Sequence, residues 1–222
     1  MKPRSYLYVL GFIALNLFSL PASAAYLYTY NFNRITNTAP ENLQDQLRLE
    51  ISTDALTNSV AFKFFNNAGI SSSITDIYFD LGTTNMFSKI SMYADSDIGS
   101  ATGVVFDNAA TPANLPSGNT IGFTADYSGD SPTPAKGVDK LGEWVTYMGV
   151  LSAGKSFDAL IEALKSGDFM VGLHVQSIGQ TGQSDSYVNQ VAAVSAVPLP
   201  AAAWLFGSAL MGFVIVSNRR KV

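Results

Sequence analysis

Apolar and polar side chains alternate with a period of two through the middle of this chain, and that pattern constrains the fold more than any other feature. Leu47, Leu49 and Ile51 alternate with Arg48 and Glu50, and Val60, Phe62 and Phe64 alternate with Ala61 and Lys63. Ile77, Phe79 and Leu81 alternate with Asp76, Tyr78 and Asp80. Phe169, Val171, Leu173 and Val175 alternate with Met170, Gly172, His174 and Gln176. Successive side chains of a strand point to opposite faces, so each run presents one face to a core and the other outward. Further strands are expected over 26–33, 87–93, 120–125, 143–151 and 187–194, separated by turn residues such as Asn66-Asn67-Ala68-Gly69 and Asp130-Ser131-Pro132-Thr133-Pro134. Many short strands joined by turns predict an all-β domain, a β-sandwich of jelly-roll-like form. One helix is predicted: Ser156 is the N-cap, Phe157, Leu160, Ile161 and Leu164 follow helical spacing, and Gly167 closes it. Residues 107–117, rich in Ala, Asn, Pro and Gly, read as a long surface loop.

The two ends of the chain follow different rules. Lys2 and Arg4 precede an apolar run from Tyr6 to Leu20, broken only by Gly11, Asn16 and Ser19. Ala22 and Ala24 then stand at −3 and −1 of a cleavage point after Ala24, with a cut after Ala25 as an alternative. That layout predicts a secretory signal peptide over 1–24; an uncleaved anchor is the rival reading, disfavoured by the short run and the small-residue site. At the other end, Ala201 to Ser217 carries no charge. At ~1.5 Å per residue it forms ~26 Å of helix, just short of a ~30 Å hydrocarbon core. Arg219, Arg220 and Lys221 follow at once, the positive-inside arrangement of a transmembrane helix that stops transfer and leaves the body outside the cytoplasmic membrane. A buried core helix fits less well, because every face is apolar and three cations end it. Val197-Pro198-Leu199-Pro200 precedes the helix, and its two prolines force an extended segment. The domain plan is therefore signal peptide 1–24, extracytoplasmic domain 25–196 and C-terminal segment 197–222.

The run VPLPAAAWLFGSALMGFVIVSNRRK resembles the PEP-CTERM sorting signal of Gram-negative bacteria. Leu199 stands where the family's Pro-Glu-Pro motif has its glutamate, and the VPLP form is similar to a frequent variant. The resemblance implies recognition and processing by an exosortase, passage through the cytoplasmic membrane, and a final place at the cell surface or outside the cell. It also implies an organism that makes exopolysaccharide or biofilm matrix. FKFFNNAGISSSITDIYFD and GLHVQSIGQTGQSDSYVN, in the body, resemble other proteins of this group with lower specificity.

Composition narrows the chemistry. Hydrophobic residues make up 47% of the chain and aromatics 12%, enough to bury a core without disorder. There is no cysteine, which removes disulfides, thiol catalysis and thiolate metal sites. Five of the 13 basic residues lie at the chain ends, which leaves eight against 17 acidic side chains in residues 25–196, a formal charge of −9. Such a body is a poor nucleic-acid binder.

Three constellations merit attention. His174 is the lone imidazole; a Ser-His-Asp triad would draw on Ser184 or Ser186 and Asp185, but Gly182-Gln183-Ser184 lacks the second glycine of a nucleophile elbow. The blander reading has His174, beside Gln176, hydrogen-bonding the SDSYVN segment and fixing a strand-to-loop junction. Asp76, Asp80, Asp95 and Asp97 read mainly as solvated surface acids. Ca²⁺, which takes 6–8 oxygen ligands, is a weaker reading without an EF-hand pattern, and a carboxylate pair for glycosidic hydrolysis weaker still. Tyr28 and Tyr30, in a stripe begun by Tyr26, would stack sugar rings if exposed, or form half-buried sheet surface if not. The expectation is a non-catalytic exported protein of the surface or matrix, with a carbohydrate-binding module as the alternative and a secreted hydrolase third.

Overall fold

The alternating segments form antiparallel strands in a computed structural model that describes residues 27–54, 58–67, 69–96 and 103–189. Ala22, Ala24, Asp97, Val197, Pro198, Leu199, Pro200, the helix expected over 201–217, and Arg219, Arg220 and Lys221 lie outside the described residues. The strands are β1 (Leu27–Arg34), β2 (Leu47–Asp54), β3 (Ser59–Asn66), β4 (Ser73–Asp80) and β5 (Phe87–Asp95), then β6 (Asp107–Asn108), β7 (Tyr127–Asp130), β8 (Trp144–Leu151), β9 (Met170–Ile178) and β10 (Gln183–Asn189). They pair in the order β5-β8-β3-β2-β1-β10-β9-β4-β7-β6. Strand β1 is the corner of this sheet. Its first part, Leu27 to Asn31, pairs with β2, and its second part, Phe32 to Arg34, pairs with β10. The sheet thus folds into two halves, and its two edges meet again opposite the corner. There the backbone N–H of Met92 on β5 donates to Asn108 Oδ1 on β6 at 3.0 Å, and the Tyr127 hydroxyl on β7 donates to the carbonyl of Ser88 at 3.4 Å. The result is a nearly closed, mostly β structure.

The core lies between the halves. Phe62, Phe64, Phe79, Phe87, Phe169 and Tyr147 form a contiguous set of rings with centroids 5.3 to 6.4 Å apart. Ring pairs at such spacings add ~0.5–1.5 kcal/mol each beyond the area they bury. Helix α1 (Phe157–Ser166) forms as its sequence predicts. The Ser156 side chain accepts from the N–H of Ala159 at 3.2 Å, and Gly167 ends the helix at φ 81°. Its buried stripe of Phe157, Leu160, Ile161 and Leu164 joins the core. Among the described residues, no helix is long and apolar enough to cross a membrane.

Two local expectations are corrected. Residues 120–125 are not a strand. Gly118–Ile121 is a 3₁₀ turn, and side-chain acceptors take the N–H groups a ladder would use: Thr124 donates to Asp80 Oδ2 at 2.7 Å and Ala125 to Asn114 Oδ1 at 3.0 Å. The strand begins only at Tyr127. The loop after β6 also does more than cover surface. Its Ala110, Leu115 and Phe123 close over Tyr78 on the outer side of β4 and make a second small core. Leu115 packs directly on Gly172, where a Cβ would come within 2.8 Å of its Cδ2. Strand β4 is buried on both faces along its whole length.

Candidate functional site

Strand register places four polar residues in one line across the outer face of the β10-β9-β4-β7 half. Asp130 of β7 lies opposite Asp76 of β4, Asp76 opposite His174 of β9, and His174 opposite Ser186 of β10. A register shift between Ile74 and Asp76 keeps both Ile74 and Ile77 in the core while Asp76 turns outward. His174 Nδ1 lies 2.9 Å from Asp76 Oδ2, which also accepts from the Thr75 hydroxyl at 2.8 Å. Asp76 is only 1% exposed, so the expectation of a solvated surface acid is overturned: it lies on a strand between β7 and β9, flanked by Asp130 and His174. Burial, and then the neighbouring Asp76 charge, push the carboxyl of Asp130 up to about 6. The same two influences, burial first, hold the Tyr78 hydroxyl far above its usual range, and it donates to the carbonyl of Pro112 at 3.0 Å.

The imidazole therefore has a carboxylate partner, but not the expected one. Asp185 serves the 34–39 segment instead: it accepts from the Thr36 hydroxyl at 2.7 Å and from the N–H groups of Thr38 at 2.7 Å and Ala39 at 3.1 Å, with Arg34 3.4 Å away. Burial alone would raise its carboxyl, but those hydrogen bonds and the Arg34 charge hold it below the usual range. Ser186 Oγ is buried and finds no hydrogen-bond partner among the described residues, so the contact between nucleophile and base that a triad needs is not made. Ser184 precedes Asp185 on the same strand, and the SDSYVN segment is strand β10 itself, not a loop fixed by His174. Gln176 sits two residues beyond His174 on the outer face, opposite Ser73.

The remaining candidates do not converge. Asp80 ties a turn, accepting from Gly82 N at 2.8 Å and Thr124 N at 2.7 Å, and lines a cleft of about 360 Å³ with Asp126 and Asp168. Asp95 lies on β5 in the other half of the sheet. The described residues hold no group of three His, Asp or Glu side chains able to bind a metal ion. Tyr30 is 1% exposed, its buried hydroxyl is pushed up to about 12, and the Tyr28 ring packs 5.6 Å from Phe157. Tyr28 and Tyr30 point toward the core, so Tyr30 has no free ring face for a sugar. A second cleft, of about 380 Å³, is lined largely by hydroxyls, among them Ser71, Ser73, Thr133 and Ser177.

Sequence reasoning passed over the outer face of the other half. Arg48 of β2, Phe65 of β3 and Trp144 of β8 stand opposite one another in register. The Arg48 guanidinium lies 4.5 Å from the Phe65 ring centre. The Lys63 ammonium lies 4.0 Å from that of Trp144 and 5.1 Å from that of Phe65. Arg48 also meets Glu50 at 3.3 Å. The signal for this face was available: Phe64 and Phe65 are adjacent, so one of the two must leave the core.

No family model, no curated protein and no solved structure matches this chain.

Proposed function

We propose that this chain is an exported, non-catalytic protein of the cell surface or extracellular matrix, delivered by its C-terminal segment as an exosortase substrate. The observation that carries the reading is the sequence from Val197 to Lys221: a di-proline motif, an uncharged stretch and a basic end. The signal-like segment over 1–24 supports the same route. The two half-sheets, which the chain crosses between at β3–β4, β4–β5, β5–β6, β7–β8 and β8–β9, fit a jelly-roll-like sandwich. Such a body holds itself together by its buried aliphatic and aromatic core, without disulfides.

Two sets of changes separate the roles of the segment. With Arg219→Ser, Arg220→Ser and Lys221→Ser, the tail slips through the membrane and full-length protein is released, because a cation at the bilayer centre costs ~2.5–3.5 kcal/mol on the insertion scale. With Pro198→Ala and Pro200→Ala, the anchor persists and an unprocessed precursor accumulates in the membrane. Fractionation in cells with and without exosortase reads out both. Processing of the proline variant at the wild-type rate would leave only a plain membrane anchor.

A further inference from the structure

We infer that the Asp107–Asp130–Asp76 row is a pH-operated latch on the seam between the two half-sheets. It is shut while one proton is held between Asp76 and Asp130, and it loosens when that proton leaves. The inference does not depend on the sorting reading. Its basis is strand register. Asp130 of β7 stands directly opposite Asp76 of β4 on one side and directly opposite Asp107 of β6 on the other. Opposed residues of antiparallel strands have their Cβ atoms ~4.5–5.5 Å apart, and like charges so placed destabilise the pairing. Three acids in a row across three strands are best accommodated when the middle one is uncharged.

The proton belongs on Asp130. Asp76 is 1% exposed, accepts from the Thr75 hydroxyl at 2.8 Å and faces His174 Nδ1 at 2.9 Å, and both partners suit an ionised carboxylate. The Asp130 carboxyl instead faces Asp76 and Asp107, and the backbone N–H of Thr111, from the loop after β6, is the group that favours its anion. The phenols of Tyr78 on β4 and Tyr147 on β8 also feel its charge, and burial keeps both neutral. Strand β5, across the seam, meets this edge through the uncharged Met92 N–H and Ser88 carbonyl. Burial and the Asp76 charge accordingly set the Asp130 carboxyl at about 6, where modest changes of ambient pH move its proton.

Ionisation of Asp130 directs its repulsion at the weakest part of the fold. Asp76 cannot retreat, because β4 is paired on both sides and His174 and Thr75 hold its carboxylate. Strands β7 and β6 can. They have four and two residues, and they form one end of the sheet. That end also carries the seam. Asn108 accepts from the Met92 N–H at 3.0 Å, the Asp107 carbonyl accepts from the Tyr147 hydroxyl at 3.2 Å, and the Tyr127 hydroxyl donates to the Ser88 carbonyl at 3.4 Å. Edges joined by isolated hydrogen bonds, with no ladder between them, open without global unfolding. A proton lost from Asp130 is therefore read out at Met92, on the far side of the seam.

The test follows amide hydrogen exchange of the full chain in detergent from pH 5 to pH 7.5, corrected for the intrinsic rate of each amide. The Met92 amide and the β6 amides are expected to exchange roughly tenfold faster at pH 7.5 than at pH 5, with a midpoint at about 6, while β2 and β3 hold constant. Asp130→Asn should keep the seam slow at both pH values. Asp158→Asn, on α1, should leave the step intact. Carboxyl-carbon NMR of protein labelled at aspartate gives a second readout that needs no variant to fold: one carboxyl should titrate with the midpoint of the exchange step. Four results would each overturn the latch. They are no step at the seam, a step that survives in Asp130→Asn, a step of equal size in β2 and β3, and the absence of any aspartate titrating with the exchange midpoint.

Discussion

Tyr147 and Gly129 are fitted to each other across the core. The Tyr147 hydroxyl, sent from β8, donates to the carbonyl of Asp107 on β6 at 3.2 Å. On the way it occupies the space where a side chain on Gly129 of β7 would begin. One side chain thereby ties the two half-sheets together beside the seam where the sheet edges meet.

That fit predicts a non-additive pair. Gly129→Ala overpacks the site and should destabilise the fold by ~1–3 kcal/mol. Tyr147→Phe, which loses one hydrogen bond, should cost about 1 kcal/mol. Together they should cost less than the sum, because the Phe removes the oxygen that the added methyl group meets. Chemical denaturation of the four proteins measures the coupling, and strict additivity would contradict the fit.

Asp130 makes stability depend on pH. Its folded carboxyl sits at about 6 against an ordinary value of 3.8. Below about 3.8 it is protonated in both states and imposes no penalty. As pH rises through 6 the unfolded chain releases its proton more readily, and stability from this group is lost. Asp130→Asn should therefore stabilise the protein at pH 7.5, by roughly 1 kcal/mol after allowance for its partial exposure, and change little at pH 3.5. Equal gains at both pH values would show that charge is not the cause.

Asp185 has the opposite sign. Its lowered carboxyl adds stability that is present above the ordinary value and fades as pH falls through the folded one. Asp185→Asn leaves the Thr38 and Ala39 donors poorly matched and the nearby Arg34 without its counter-ion. It should cost ~1–3 kcal/mol at pH 7 and much less near pH 2, read from thermal melts.

His174 should matter for folding through Asp76. His174→Ala leaves a buried carboxylate without its imidazole, at a cost of ~1–3 kcal/mol. Adding Asp76→Asn should recover part of that loss, because the stranded charge is gone. A double variant less stable than His174→Ala alone would refute this role.

Much of this structure was legible in the residues, and the misses have identifiable causes. The period-two runs located β2, β3, β4 and β9, and the capping signals of Ser156 and Gly167 located α1. The tyrosine stripe was open to misreading because tyrosine suits either face. Carrying its parity on to Phe32, fully buried on the same strand, would have placed Tyr28 and Tyr30 inward. The double-sided burial of Tyr78 could not be read locally, since it depends on Leu115 and Phe123, more than thirty positions away in the chain. Nor does any local pattern announce that Asp76, His174 and Ser186 share a line; register across three strands decides it.

The proposal of an exported and sorted protein is tested most directly by the two ends of the mature chain. Intact-mass analysis, with terminal peptide mapping, of the protein recovered from the cell surface or medium gives both at once. The expected N-terminus is Ala25 or Tyr26, and the expected C-terminus lies at or close to Val197–Pro200. Recovery outside the cell of a chain that begins at Met1 or still carries Arg219, Arg220 and Lys221 would contradict it.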